Sequence, residues 1–135
     1  MNINLNENLN NAVKEAVSKT AFQFESELSR VFQTEGRSLD ISWADYKNDK
    51  YFRNKVLSGF SEKKLHKTTS LAQSFSHILD GYKAKVGTPV KYAKYHEFGT
   101  NKVVSRPFFK PILDYFVNEN IFSKFLKEAL ENIQE

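Results

Sequence analysis

The chain has 135 residues, 27% of them charged, with a formal net charge of +4 and no cysteine. This length fits one domain that can bury a core without added cross-links, and the lack of cysteine excludes a disulfide framework and any thiolate metal site. No run approaches the ~18 apolar residues of a membrane span, and residues 1–15 lack the basic and apolar regions of a signal peptide, so we expect synthesis in a cytoplasm.

The positive charge is concentrated in the middle of the chain. Residues 44–110 contain 14 Lys and Arg against 5 Asp and Glu, whereas residues 1–43 and 111–135 are acidic. This middle indicates either a surface facing nucleic acid or an acidic protein, or lysines that are simply solvated. Scattered lysines and few arginines favour the second interpretation. The candidate DNA-facing residues are Lys63, Lys64, Lys67, Lys83 and Lys85.

Residues 5–34 have the apolar spacing of one long amphipathic helix, which Gly36 is placed to end. About 30 residues would span roughly 45 Å, which is more than a compact domain of this size needs. We therefore expect the helix either to break near Thr20 or to project towards a neighbouring subunit. The predicted apolar stripe contains Leu5, Leu9, Val13, Ala16, Val17, Phe24, Leu28, Val31 and Phe32.

Residues 36–70 read as an irregular, basic region with a short helix over 44–57 and an exposed loop over 61–70. Residues 71–87 predict a β-hairpin, because Asp80-Gly81 is a strong signal for a two-residue turn. Beyond that turn, apolar residues alternate with lysines, as in a strand with one solvent-exposed face.

Thr88-Pro89 has the residues preferred at the start of a helix, and Gly99 is placed to end it. Residues 102–105 predict a third strand, and Pro111 opens a helix to about residue 133, in which residues 118–120 favour a kink. The apolar stripe of this last helix is Leu113, Phe116, Val117, Ile121, Phe125 and Ala129.

The order of elements predicts an α+β fold in a single domain, 1–135. It has a long N-terminal helix (1–35), the irregular region (36–70), a small antiparallel sheet with a short inserted helix (71–110) and a C-terminal helix (111–135).

The sequence shows no pattern typical of catalysis, of a metal site or of a cofactor site. His96-Glu97 begins like the zinc-protease helix motif, but that motif needs a second His at position 100, where this chain has Thr. All five glycines are isolated, which excludes a Gly-rich phosphate loop, and no serine lies in a G-x-S-x-G turn. We expect His96 to pack as an aromatic with one ring nitrogen bonded to the backbone, and Glu97 to pair with a lysine or contact a neighbouring molecule.

The segment 90–109 gathers six aromatic side chains around Gly99 and Arg106-Pro107. Phe98, Phe108 and Phe109 either join the sheet to the last helix or stack on nucleic-acid bases, and the first interpretation is favoured. The order of residues resembles the signature of the virion morphogenesis proteins of tailed phages, a family of tail-completion and head–tail joining proteins. The matching residues are Tyr92-Ala93, Tyr95-His96-Glu97-Phe98-Gly99-Thr100 and Arg106-Pro107-Phe108-Phe109.

Weaker matches precede this block, so that the resemblance covers about residues 36–113. They are Trp43, Tyr46, Lys50, residues 68–75 and Val86-Gly87. The chain departs from the family pattern in three places: Thr69 stands where the family has Gly, Ser105 where it often has Ala, and Phe109 where it has Leu. Glu97-Phe98-Gly99-Thr100 is also similar to the head–tail connector group, so tail completion and head-side joining both stay open.

The resemblance implies a structural phage or prophage protein without catalysis, present in the virion after assembly in the host cytoplasm. Its implied partners are phage head–tail connector and tail proteins and further copies of itself in a ring, with packaged DNA as a further contact and no membrane. The expected assembly residues are Tyr92, His96, Glu97, Phe98, Gly99, Thr100, Arg106, Pro107 and Phe108. The alternatives are a basic nucleic-acid-binding module and, less favoured, an enzyme.

Overall fold

The structure is a computed structural model and describes residues 5–43, 70–101 and 104–133. Its elements in chain order are α1 (Leu5–Thr34), a 3-10 helix (Arg37–Leu39), α2 (Ser70–Gln73), β1 (Ser76–Asp80), β2 (Lys83–Gly87), α3 (Ala93–Phe98), α4 (Phe109–Asn118) and α5 (Ile121–Asn132). The predicted α+β class is confirmed, with a long N-terminal helix, an antiparallel two-stranded sheet and C-terminal helices.

The first helix runs unbroken through the position where a break was considered. The Thr20 hydroxyl donates to the carbonyl of Ala16 at 2.7 Å, inside the helix. The helix ends at Thr34, two residues before Gly36, which has φ +89° and donates its N–H to the carbonyl of Val31. A Cβ at Gly36 would lie 2.8 Å from Ile41, so both the backbone conformation and the close approach favour glycine here.

Instead of projecting freely, α1 is covered by other elements. The C-terminal helix α5 packs along it, and the hairpin packs beside it. Three alanines are buried in the first two-thirds of α1, and Ala129 of α5 is buried as well. Small side chains allow two helix backbones to approach closely, which explains how α5 lies along α1. The buried alanines of α1 are Ala12, Ala16 and Ala21.

The core contains a chain of aromatic rings that connects distant parts of the sequence. Phe32 of α1 has its ring centroid 5.1 Å from that of Phe108 and 5.9 Å from those of Trp43 and Phe75. A second group joins Phe24 to Phe109 and Phe116 at 4.8 and 5.2 Å. Aromatic pairs at these separations add to the stability gained from burial. The core therefore ties the N-terminal helix to the segment that leads into α4.

The predicted apolar stripes are confirmed in part. Phe24, Leu28, Val31 and Phe32 are buried as expected, but Leu5 and Leu9 are 62% and 46% exposed. Ala16, also in the predicted stripe, is buried, together with Ala12 and Ala21, which were outside it.

The stripe of the last helix is also confirmed in part. Phe116 and Ala129 are buried as expected, but Leu113 and Val117 are exposed, and Ile112, outside the predicted stripe, is buried. The helix begins at Phe109, before Pro111, and it is interrupted where a kink was predicted. Asn120, with φ +52°, separates α4 from α5.

The hairpin predicted over 71–87 is confirmed over 76–87, with pairing from Ser76 opposite Gly87 to Asp80 opposite Lys83, whereas residues 71–73 belong to the helix α2. Gly81 and Tyr82 form the turn, and Gly81 has φ +60°, which a two-residue hairpin loop requires at its first position. On the face towards α1, His77 Nδ1 lies 2.8 Å from the Glu25 carboxylate. The opposite face, which carries Lys83 and Lys85, is therefore left to solvent.

Two smaller predictions differ from the structure, and others fall outside it. The short helix begins at Ala93, later than Pro89, because the Thr88 hydroxyl accepts the N–H of Val90 and forms a turn there. Of the predicted third strand, Val104 and Ser105 are not in a strand. Residues 102–103, the helix predicted over 44–57 and the loop over 61–69 lie outside the described residues.

Candidate functional site

Glu97, near the end of α3, places its carboxylate against the first turn of α4. Oε2 accepts the backbone N–H of Phe108 at 2.6 Å, and Oε1 accepts those of Phe109 and Lys110 at 3.0 and 2.8 Å. The first N–H groups of a helix have no partner within it, and a negative charge beside them is stabilising. Phe108, at the cap position, offers no side-chain bond of its own. Glu97 therefore caps α4 from another helix.

This contact corrects the expectation that Glu97 pairs with a lysine. Glu97 is only 9% exposed, and a carboxylate withdrawn from water must be matched by donors. The main chain of α4 supplies these donors. The Lys110 ammonium lies 3.0 Å from Asp114 instead, on the exposed surface of α4.

The loop between α3 and α4 is pinned where it returns to α3. The Ser105 hydroxyl donates to the carbonyl of Glu97 at 2.9 Å, and the N–H of Arg106 donates to the carbonyl of His96 at 2.7 Å. These bonds satisfy carbonyls at the C-terminal end of α3, which have no helical partner. The main chain and the side chain of Glu97 thus both hold the segment 105–110.

Gly99 makes the sharp exit from α3 possible. Its N–H donates to the carbonyl of Tyr95 at 2.8 Å, and its backbone has φ +76° and ψ 166°. This combination is essentially restricted to glycine, because a Cβ would collide with the neighbouring backbone. The structure therefore gives a physical reason for the glycine in the signature.

Pro107 and Phe108 anchor the segment in the core. The indole N–H of Trp43 donates to the carbonyl of Pro107 at 2.8 Å, across 64 positions of sequence. Phe108 is 2% exposed and lies against Phe32 and Phe75. The predicted role of Phe108 in the core is confirmed, and Trp43, matched only weakly from the sequence, becomes part of the same unit.

His96 packs as an aromatic, as predicted, and of its two ring nitrogens Nδ1 does not make the predicted backbone bond. Its ring meets that of Tyr92 edge to face at 5.8 Å. Its Nδ1 is buried and has no hydrogen-bond partner within the described ranges. Burial, and then the positive charge of Arg106, lower the pKa of His96 below its ordinary value of 6.5. The imidazole is therefore neutral near pH 7.

Three aromatic side chains of the same segment face outward. Tyr92, Tyr95 and Phe98 are 44%, 45% and 78% exposed. They follow one another at intervals of three residues, so they lie on one side of the short helix. We call these three residues the aromatic row. Thr100 is also exposed, just beyond it.

The lysines predicted to face DNA are only partly described. Lys83 and Lys85 are exposed on β2, whereas Lys63, Lys64 and Lys67 lie outside the described residues. Two further exposed lysines, Lys91 and Lys94, were not among the candidates. Their spacing beside Tyr92 and Tyr95 is visible in the sequence, but their proximity to β2 depends on the turn at Thr88.

The described residues provide exposed side chains for contacts, but no cluster of side chains that could bind a metal ion. Within 5–43, 70–101 and 104–133, no group of three or more His, Asp or Glu side chains is placed to hold a metal ion. Within the same ranges, no helix is both long enough and apolar enough to cross a membrane.

Comparisons of the chain with protein-family models, with curated proteins and with solved structures found no match.

Proposed function

We propose that this chain is a structural protein of a tailed-phage or prophage particle, which completes the tail or joins it to the head. It acts by binding other proteins, without catalysis, and resides in the virion after assembly in the host cytoplasm. The observation that supports this proposal is the linked unit built by the signature residues. Glu97 holds the start of α4 while its neighbour Phe98 is 78% exposed.

The signature residues fall into two groups: some fix the backbone, and others present their side chains at the surface. Glu97, Gly99 and Phe108 fix the backbone, through the cap, the exit from α3 and the core contact. This support holds the aromatic row at the surface. Exposed aromatic side chains on a rigid support are typical anchors of protein interfaces, because they bury a large area at a small entropy cost.

The partners that fit this role are head–tail connector and tail proteins, together with further copies of the chain. In a closed ring each copy presents one patch to a different patch on the next. The basic middle and the acidic terminal regions have complementary charge for such a contact. The aromatic row supplies the apolar anchor of the interface.

The test is complementation of a phage or prophage from which the gene has been removed. A Phe98→Ser variant should fold normally and fail to restore complete particles seen by electron microscopy. The matched control is Phe22→Ser on α1, since Phe22 is 64% exposed and lies outside the signature. The control should restore particles at the wild-type level.

Complete, infectious particles with Phe98→Ser, or with a Tyr92→Ser, Tyr95→Ser, Phe98→Ser triple variant, would contradict the proposal. An equal loss with Phe22→Ser would also contradict it, because any exposed phenylalanine would then have the same effect.

A further inference from the structure

Four exposed lysines lie on adjoining elements beside the aromatic row. Lys83 and Lys85 are on β2, and Lys91 and Lys94 are at the start of α3. Two shallow depressions join these elements and share Thr88 and Pro89 in their lining. One, of about 260 Å³, includes Lys85, and the other, of about 470 Å³, includes Lys91 and Lys94. We call the four lysines and these depressions the basic face.

Within the described residues, no ion pair neutralises the charge of the basic face. None of the four lysines has a carboxylate within 4.0 Å among the described residues. Residues 70–101 contain only two acidic side chains, Asp80 and Glu97. Glu97 is buried and accepts hydrogen bonds from α4, so its charge is directed away from solvent. Asp80 lies opposite Lys83 in the hairpin but forms no ion pair with it.

Among the described residues, the basic side chains of this face are all lysines, and this affects what the face can recognise. An ammonium group meets a phosphate as a point charge, whereas base edges are read mostly by paired bonds from Arg, Asn or Gln, with Lys contributing at guanine. Lys83 and Lys85 are two positions apart on one strand, and therefore point to the same side. Such an arrangement suits contacts with a phosphate backbone, which carry no sequence information.

The surface between the lysines favours a nucleic acid over an acidic protein. The lining that the two depressions share is Thr88 and Pro89, which offer no large side chain as an anchor for a protein partner, and the larger side chains Ile78 and Tyr95 each line one depression only. The ammonium of Lys94 lies 5.3 Å from the centroid of the Tyr95 ring. One face of the ring is therefore occupied, which disfavours stacking of unpaired bases and favours a duplex.

We propose that the basic face binds the phosphate backbone of double-stranded DNA without sequence preference. This proposal deepens the proposed function, because it gives a protein at the head–tail junction a contact with the DNA that passes through the junction. It rests on the proposed function only for the identity of that DNA. The binding itself requires only the described lysines.

The test is a titration of the full-length protein with fluorescently labelled duplexes of two unrelated sequences, followed by anisotropy at several salt concentrations. Both duplexes should bind equally. Log affinity should fall linearly with log salt, with a slope of about −3 to −4 if each of the four lysines meets one phosphate.

The decisive variant substitutes all four lysines of the basic face by combining K83Q, K85Q, K91Q and K94Q. Its matched control removes the same charge elsewhere, with K19Q, K110Q, K124Q and K127Q, all at exposed positions. The first variant should lose on the order of tenfold or more in duplex affinity, with a salt slope near zero. The control should keep most of the affinity and slope.

Equal losses in the two variants would overturn the inference, because net charge alone would then account for binding. Tighter binding to polyglutamate than to the duplex would overturn it in favour of an acidic protein partner. Complementation separates this inference from the proposed function. Phe98→Ser should lose particles and keep duplex affinity, so that a failure of either proposal can be told from a failure of the other.

Discussion

Glu97 and Phe108 are joined by a hydrogen bond of 2.6 Å between a buried carboxylate and a backbone N–H eleven positions later. With the bonds to Phe109 and Lys110, it makes one side chain of α3 the cap of α4. The exit of the chain from α3, the return of the loop and the start of α4 therefore depend on one another. The stability of this region should respond strongly to changes at few positions.

Glu97→Gln should lower the free energy of unfolding by about 1–3 kcal/mol. The amide keeps one acceptor oxygen, loses the charge and turns its own N–H groups towards N–H donors. Urea unfolding followed by the fluorescence of Trp43, the single tryptophan, measures this loss. The control is Glu128→Gln on the exposed side of α5, which should change stability by less than about 0.5 kcal/mol. Equal effects of the two substitutions would contradict the capping role.

Gly99→Ala should destabilise the protein by about 1–3 kcal/mol, because the backbone at this position has φ +76° and ψ 166°. Gly87→Ala is the matched control. Gly87 has no positive φ, and a Cβ there would have no heavy atom within 4 Å. Alanine at position 87 should therefore be neutral or slightly stabilising, through its effect on the unfolded chain. Thermal unfolding of the two variants compares them directly. Similar melting temperatures would show that the exit from α3 does not require glycine.

The stability should fall on acidification, partly through His96. Its folded-state pKa lies below 6.5, because burial and the charge of Arg106 oppose protonation. The unfolded chain then binds the proton more readily, so the stability from this group is complete above pH 6.5 and is lost as pH falls through the folded-state pKa. His96→Gln should remove this component.

The measurement is the difference in unfolding free energy between wild type and His96→Gln, by urea titration at about pH 7.5 and about pH 5.5. His77, which lies against Glu25, is present in both proteins, so it contributes equally to both sides of the comparison. The difference should shift in favour of the variant at the lower pH. Parallel loss of stability in both proteins would exclude His96 as a cause.

Local signals in the sequence were sufficient for the long helix and the hairpin. Regular apolar spacing and Gly36 indicate α1, and the Asp80-Gly81 signal lies one position before the turn that Gly81 and Tyr82 form between β1 and β2. Each of these signals acts over a few residues, so no knowledge of the packing is required. The exposed residues of the candidate site are harder to predict from local signals, because an aromatic side chain such as Phe98 is equally compatible with burial in the core.

The cap on α4 could not be predicted, since Glu97 reaches its donors only after the loop has returned to α3. In a capping box the Glu or Gln lies three residues after the N-cap, and the helix that starts at Phe109 has no such pattern. The buried alanine face of α1 was predicted only at Ala16, and Ala12 and Ala21 were missed for a different reason. Leucine is more apolar than alanine, but close approach of two helices selects the smaller side chain.

Phe98 and Phe108, two phenylalanines of the same signature, should separate stability from assembly. Phe108 is 2% exposed among the rings of Phe32 and Phe75, so Phe108→Ala leaves a cavity and should cost about 3–5 kcal/mol. Phe98 is 78% exposed, and Phe98→Ala should change the unfolding free energy by less than about 0.5 kcal/mol. Urea unfolding of the two variants measures both values. Because a large loss with Phe98→Ala would mean that the side chain supports the fold, that result would remove it from the assembly surface and leave Tyr92 and Tyr95 as its anchors.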